Sequence, residues 1–209
     1  MKKLLSLVLF LALLTPLAAH AFRVAPVVGL NSHGASSPTF TLDNTDPARG
    51  LGFIWGGLVD IDLVGPFFIQ SGALFVNTKY TLTQTGSERS FSGNQLQIPV
   101  LFRFSPLDIV SLGAGFYYAK TTGKLGCSGS GTLTCSTPEL DYSAAGFKTS
   151  DLGLAVSLSS AWGLGPIALL WDARYLRGLS NQIENASIAG SDELKQSDFQ
   201  LLFGMRFGF

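Results

Sequence analysis

Between residues 197 and 209 bulky apolar side chains recur at every second position. Phe199, Leu201, Phe203, Met205, Phe207 and Phe209 share one face of an extended chain, and Asp198, Gln200, Leu202, Gly204, Arg206 and Gly208 share the other. A period of two marks a strand whose faces meet different surroundings. The same alternation sets Leu96, Ile98, Val100, Phe102 and Phe104 against Gln97, Pro99, Leu101 and Arg103. It also sets Leu152, Leu154, Val156, Leu158 and Trp162 against Gly153, Ala155, Ser157, Ser159 and Ala161. β-Branched and aromatic content extends the reading to eight strands, at 23–32, 50–62, 67–82, 94–104, 108–120, 150–162, 166–178 and 197–209. Tight Gly/Pro turns punctuate them at Leu63-Val64-Gly65-Pro66, Phe104-Ser105-Pro106-Leu107-Asp108 and Gly163-Leu164-Gly165-Pro166. Long polar stretches at 33–49, 83–93, 121–149 and 179–196 alternate with these turns and read as loops.

A soluble sandwich would alternate too, but its second face would meet water and carry Lys and Glu. Here that face holds small residues or polar residues able to pair, as a narrow lumen demands, while the bulky face suits lipid. The expected fold is all-β: an eight-stranded antiparallel transmembrane β-barrel with short periplasmic turns and long extracellular loops. An even strand number puts both ends of the barrel on the periplasmic side. Pro26 and Pro99 inside strands count against this reading, because each forfeits a ladder hydrogen bond.

The first 21 residues read as an address. Lys2-Lys3 precede an apolar run from Leu4 to Leu14, Thr15-Pro16 break it, and Ala19-His20-Ala21 supply the small residues of a cleavage site. Residues 1–21 are thus expected to be a cleaved Sec signal peptide, and 22–209 the outer-membrane barrel domain. Cleavage removes two of the 14 basic residues and none of the 14 acidic ones, leaving a net charge of −2. With 13% charged residues and no basic block, the chain is not a nucleic-acid binder. Its 24 glycines sit oddly beside 46% apolar residues until the two faces are separated: bulk outside, small residues inside.

The run Gln95-Leu96-Gln97-Ile98-Pro99-Val100-Leu101-Phe102-Arg103-Phe104 resembles the "LEIPLLLKY" strand of PorT-like outer-membrane β-barrel proteins. Arg174-Tyr175-Leu176-Arg177-Gly178-Leu179-Ser180-Asn181 resembles their "RYSYGLTNI" segment, and Phe203-Gly204-Met205-Arg206-Phe207-Gly208-Phe209 their closing "LGLGYRF". The resemblance covers nearly all of residues 22–209. It departs at Gln97, where the family often has Glu. It implies an eight-stranded barrel like those of OmpA and OmpX, and no single function.

Candidate chemistry is sparse. His33 is the only histidine after residue 21, and with Ser36, Asp43 and Asp46 it makes at most a loose triad. It is read as a solvated loop residue. Asp43-Asn44-Thr45-Asp46 lacks the spacing of an EF-hand, and two cysteines with one histidine make no zinc pattern. No cofactor or metal is expected. Cys127 and Cys135 flank a Ser/Gly/Thr tip and are read as a loop disulfide, since an exported chain meets an oxidising compartment. Arg23, Asp60, Asp62, Arg103, Asp172, Arg174 and Arg206 are expected to face the lumen and pair there, because isolated buried charge is costly. Trp55, Trp162, Trp171, Tyr80, Tyr118 and Tyr175 are candidates for interfacial belts. Phe207 and Phe209 are read as the C-terminal assembly signal. Asn185-Ala186-Ser187 fits a glycosylation sequon, which carries no meaning in a bacterial chain.

The expected function is non-enzymatic: a monomeric Gram-negative outer-membrane barrel acting in envelope integrity or surface interaction through its loops. Its expected partners are outer-membrane lipid, the barrel-assembly machinery and an unidentified extracellular or periplasmic protein. The runner-up is a narrow channel or a transport or secretion accessory. A lipid-modifying enzyme is third.

Overall fold

The computed structural model describes residues 22–36, 47–84, 87–107, 109–130, 139–143, 147–164, 167–182 and 195–208. The expected signal peptide, Asp43, Asp46, Cys135, Phe209 and the sequon lie outside them.

Among the described residues there are nine strands: β1 (Phe22–Ser36), β2 (Pro47–Asp62), β3 (Phe67–Gln84), β4 (Ser87–Leu107), β5 (Val110–Ser130), β6 (Glu139–Leu140), β7 (Ser150–Leu164), β8 (Ile167–Gly178) and β9 (Lys195–Gly208). Eight of them close into an antiparallel barrel, each paired with its sequence neighbour, and β9 returns to β1. Closure leaves no unpaired edge, the condition for crossing a bilayer on strands. The two-residue β6 pairs with the far end of β5, through Leu125–Leu140 and Gly126–Glu139. Lower down that flank of β5 is held by β7.

The strands overrun the polar boundaries. β3 and β4 stay paired as far as Gln84–Ser87, so most of the expected loop 83–93 is hairpin. β5 continues to Ser130, through the start of the expected loop 121–149. The cause is simple. Where a strand leaves the lipid its outward face no longer needs bulk, yet backbone pairing continues unchanged.

At the opposite end the first turn is closed by the Leu63 amide donating to the Phe67 carbonyl at 2.9 Å, with Gly65 at φ +62°. A side chain would strain that left-handed position. Both strand prolines sit at interruptions of one ladder. The β1–β9 pairing skips Ala25 and Pro26, and the β3–β4 pairing skips the stretch holding Pro99. The Ser71 hydroxyl donates to the Pro99 carbonyl at 2.9 Å. The expected cost is thereby confined to one side of each proline.

The outer face is a continuous apolar surface. Val28, Phe53, Trp55, Phe102, Phe116, Leu154, Phe203 and Met205 are all exposed on it. Trp55, Tyr118 and Tyr175 stand on it toward the long-loop end, and Trp162 and Trp171 toward the short turns. The inner face is less uniformly polar than the alternation implied. Ile54, Leu58, Leu74, Val76 and Leu202 form a buried cluster with Val27 and Leu170, and Leu101, Tyr117 and Leu176 form another. The lumen is packed as a core, which an eight-stranded barrel is narrow enough to permit.

Candidate functional site: the charged lumen

Inward positions from all eight strands meet in one polar network near the short-turn end. Asp172 on β8 pairs with Arg103 of β4 and, at 2.7 Å, with Arg174 two residues along its own strand. Arg103 also donates to Ser111 of β5 at 3.1 Å and to Ser159 of β7 at 2.5 Å. Arg174 donates at 2.7 Å to the Gln70 carbonyl on β3, and the Gln70 amide donates at 2.7 Å to Asp60 on β2. Asp60 lies 3.0 Å from Arg206 of β9 and 4.0 Å from Arg23 of β1, which also pairs with Asp62. The Arg206 contact is an ion pair without the alignment of a hydrogen bond. Arg23 and Arg206 also lie over the Phe68 ring, 5.0 and 5.9 Å from its centre. All seven residues named from the sequence therefore fall in one network.

Arg103 and Asp172 are 0% exposed, and Arg174 is 1%. Unpaired, such charges would each cost several kcal/mol, so one carboxylate shared by two guanidiniums is the minimum arrangement that holds them. Gln70 extends the chain as a neutral relay, accepting at one end and donating at the other. Four arginines face three aspartates, a net of +1.

Toward the loop end the lumen changes character. Gln97 and Gln200 meet across the interior at 3.0 Å. Beyond them the Tyr117 hydroxyl donates to Asp151 at 2.6 Å, and Gln196 donates to Asp198 at 2.5 Å. His33 Nδ1 stands 2.6 Å from Asp198, with its side chain 12% exposed. The reading of His33 as a solvated loop residue is corrected: β1 runs past it, and its parity with Asn31 turns it inward. Parity already sets Asp198 and Gln200 on one face with Arg206, and both are buried there. The same parity could have found Asp151, in step with Ser157 and Ser159. The Gly153 position has no room for a side chain, since an added Cβ would meet the Tyr117 ring at 2.3 Å.

Residues 139–142 of the third polar stretch lie against the barrel, Glu139 and Leu140 pairing with the end of β5. The Tyr142 hydroxyl sits against buried Gly93 of β4, where an added Cβ would lie 1.8 Å away. Burial pushes the Tyr142 hydroxyl above its ordinary pKa, opposed by the Asn94 backbone amide. Cys127 at the far end of β5 is disulfide-bonded. Phe207 is half-buried on β9, opposite Val24 and Ile167. Among the described residues no group of three or more His, Cys, Asp or Glu side chains is arranged to hold a metal ion.

No protein-family model and no curated protein matches the chain. Among solved structures it is similar to the outer membrane protein OprG from Pseudomonas aeruginosa, at 13% identity over 91% of this chain and 96% of that one, with a TM-score of 0.55. It is also similar to the attachment invasion locus protein Ail of Yersinia pestis, at 16% identity over 90% and 99% and a TM-score of 0.45. Neisserial surface protein A gives 11% identity over 90% and 97%, with a TM-score of 0.45. At this identity the OprG likeness establishes the fold: a closed eight-stranded antiparallel transmembrane β-barrel.

Proposed function

We propose that this chain is a non-enzymatic integral outer-membrane protein of a Gram-negative bacterium, with a closed lumen and loops that do the work in envelope integrity or surface interaction. The observation that carries it is the buried network: solvent does not reach Arg103, Asp172, Gln70, Gln97 or Gln200. A conducting pore would hydrate these groups. The apolar outer face supports the location, and the three motifs named above support a PorT-like relationship. The cleaved leader and the export of a monomer belong to the same reading. So do insertion by the barrel-assembly machinery through Phe207 and Phe209, and a partner protein met through the loops.

Planar-bilayer recording on the purified barrel tests the closed lumen. No steady openings are expected; reproducible ion-selective steps would replace this reading with the channel. That second reading has one observation in its favour: buried Asn31 and Gln95 carry side-chain atoms with no hydrogen-bond partner in the loop-side lumen. Lipid A mass spectra should be identical with and without the gene, and a changed acyl or phosphate pattern would support an enzyme instead.

A further inference from the structure

The glycine-rich start of β2 shapes the outer surface. Between Arg49 and Ile54 its register against β3 shifts. There Gly50 and Gly52 lie so close to β3 that an added Cβ would meet the Lys79 carbonyl at 2.0 Å and the Asn77 carbonyl at 1.8 Å. Beside this bulge lies a groove of about 310 Å³. Its apolar wall is Phe53, Trp55 and Phe75, the last two stacked at 4.3 Å. Its polar rim is Asn77, Asn94 and Thr122, with the Asn77 amide donating to the Asn94 carbonyl oxygen at 3.0 Å. The groove opens outward, because Phe53, Trp55, Phe75, Asn94 and Thr122 are all exposed.

Charge on the barrel is sorted by face. The described aspartates of the barrel strands, Asp60, Asp62, Asp151, Asp172 and Asp198, all take inward positions. Among the described side chains, the exposed outward charges on those strands are basic, and all lie in the loop-side half: Arg49, Lys79, Lys120, Lys124 and Arg177. Arg49 is engaged by Ser197, and Lys124 by Glu139 at 3.7 Å. Lys79 and Lys120 hold no ion pair among the described residues. They flank the groove: Lys79 lies two residues beyond Asn77 on β3, and Lys120 two residues before Thr122 on β5.

We propose that this groove binds a bisphosphorylated glycolipid of the lipid A class from the outer leaflet. The aromatic wall takes an acyl chain, the amide and hydroxyl rim takes the sugar, and Lys79 and Lys120 each meet a phosphate. A face in contact with lipid has lipid as its available occupant, and paired cations flanking a polar rim match a headgroup carrying two phosphates. The inference rests on the outer-membrane reading above.

Native mass spectrometry of the refolded full chain provides the test, with bisphosphorylated, monophosphorylated and dephosphorylated lipid A and phosphatidylglycerol as probes. One bisphosphorylated lipid should survive detergent removal, with weaker retention as each phosphate is lost. The K79Q/K120Q double variant should bind it roughly thirty-fold more weakly, from about 1 kcal/mol per surface lysine. Lys148→Gln, in the loop, should bind as the parent does. Trp55→Ala should weaken binding of all the lipid A forms alike. Equal binding by the double variant and the parent, or no preference for phosphate, overturns the proposal. So does phosphatidylglycerol binding as well as lipid A. Heat-dependent gel migration of each sample separates the two readings. A shift without lipid preference removes only the lipid site, and no shift removes the membrane barrel and the site with it.

Discussion

The two halves of the lumen solve the same problem by different chemistry. Near the short turns, Arg103 and Arg174 close on Asp172, and Arg206 and Arg23 close on Asp60 and Asp62. Near the loops, Asp151 and Asp198 are buried with no arginine paired to them among the described residues, and are held by Tyr117, Gln196 and His33. The arginines near the short turns link all eight strands into one network, through ion pairs and through Ser111, Ser159 and Gln70, because each guanidinium offers several donors to different neighbours. A carboxylate held by neutral donors and one histidine ties only local strands together. The turn-side half is thus built as a cross-linked plug, and the loop-side half as an acidic vestibule.

Breaking the shared carboxylate should have the largest effect. Asp172→Ala leaves Arg103 and Arg174 buried without their anion, and should cost about 3–5 kcal/mol in urea unfolding of the vesicle-inserted barrel. Asp172→Asn, which keeps the shape but not the charge, should fall between that variant and the parent. Tyr117→Phe in the other half removes one donor from Asp151, and about 1–3 kcal/mol is expected by the same measurement. A Tyr117 loss as large as that of Asp172 would erase the contrast between plug and vestibule. The smallest effect should come from Arg23→Gln. That side chain is 27% exposed, so its pairs with Asp60 and Asp62 are partly screened. About 0–1 kcal/mol is expected, shrinking as salt is raised.

The strand faces were legible because lipid imposes a strict rule on them. Phe199 to Phe207 and Leu152 to Leu158 alternate bulk with small or polar residues, and the structure turns the bulk outward at each. The charged lumen residues were legible for the same reason: Arg103, Asp172 and Arg206 share parity with inward neighbours. Legibility failed where the rule lapses. The segment from Ser87 to Gly93 and the end of β5 lie beyond the apolar band, so their polar outward positions read as loop although the backbone stays paired. His33 was misplaced for that reason. Gln97 and Gln200 read as lumen-facing but not as partners, since an amide at the right parity does not say whose side chain it will reach.

The sequence by itself determined the eight strands of the barrel, the short turns between them, and the outward face of β4, β7 and β9. Those follow from local periodicity and from Gly and Pro. Only the tertiary structure decided that Gln70 joins Arg174 to Asp60, that Asp198 takes His33, and that the tip of Tyr142 rests on Gly93. The partners are 104, 165 and 49 residues apart. Contacts at such separation depend on the register and closure of eight strands together, and no local pattern encodes them.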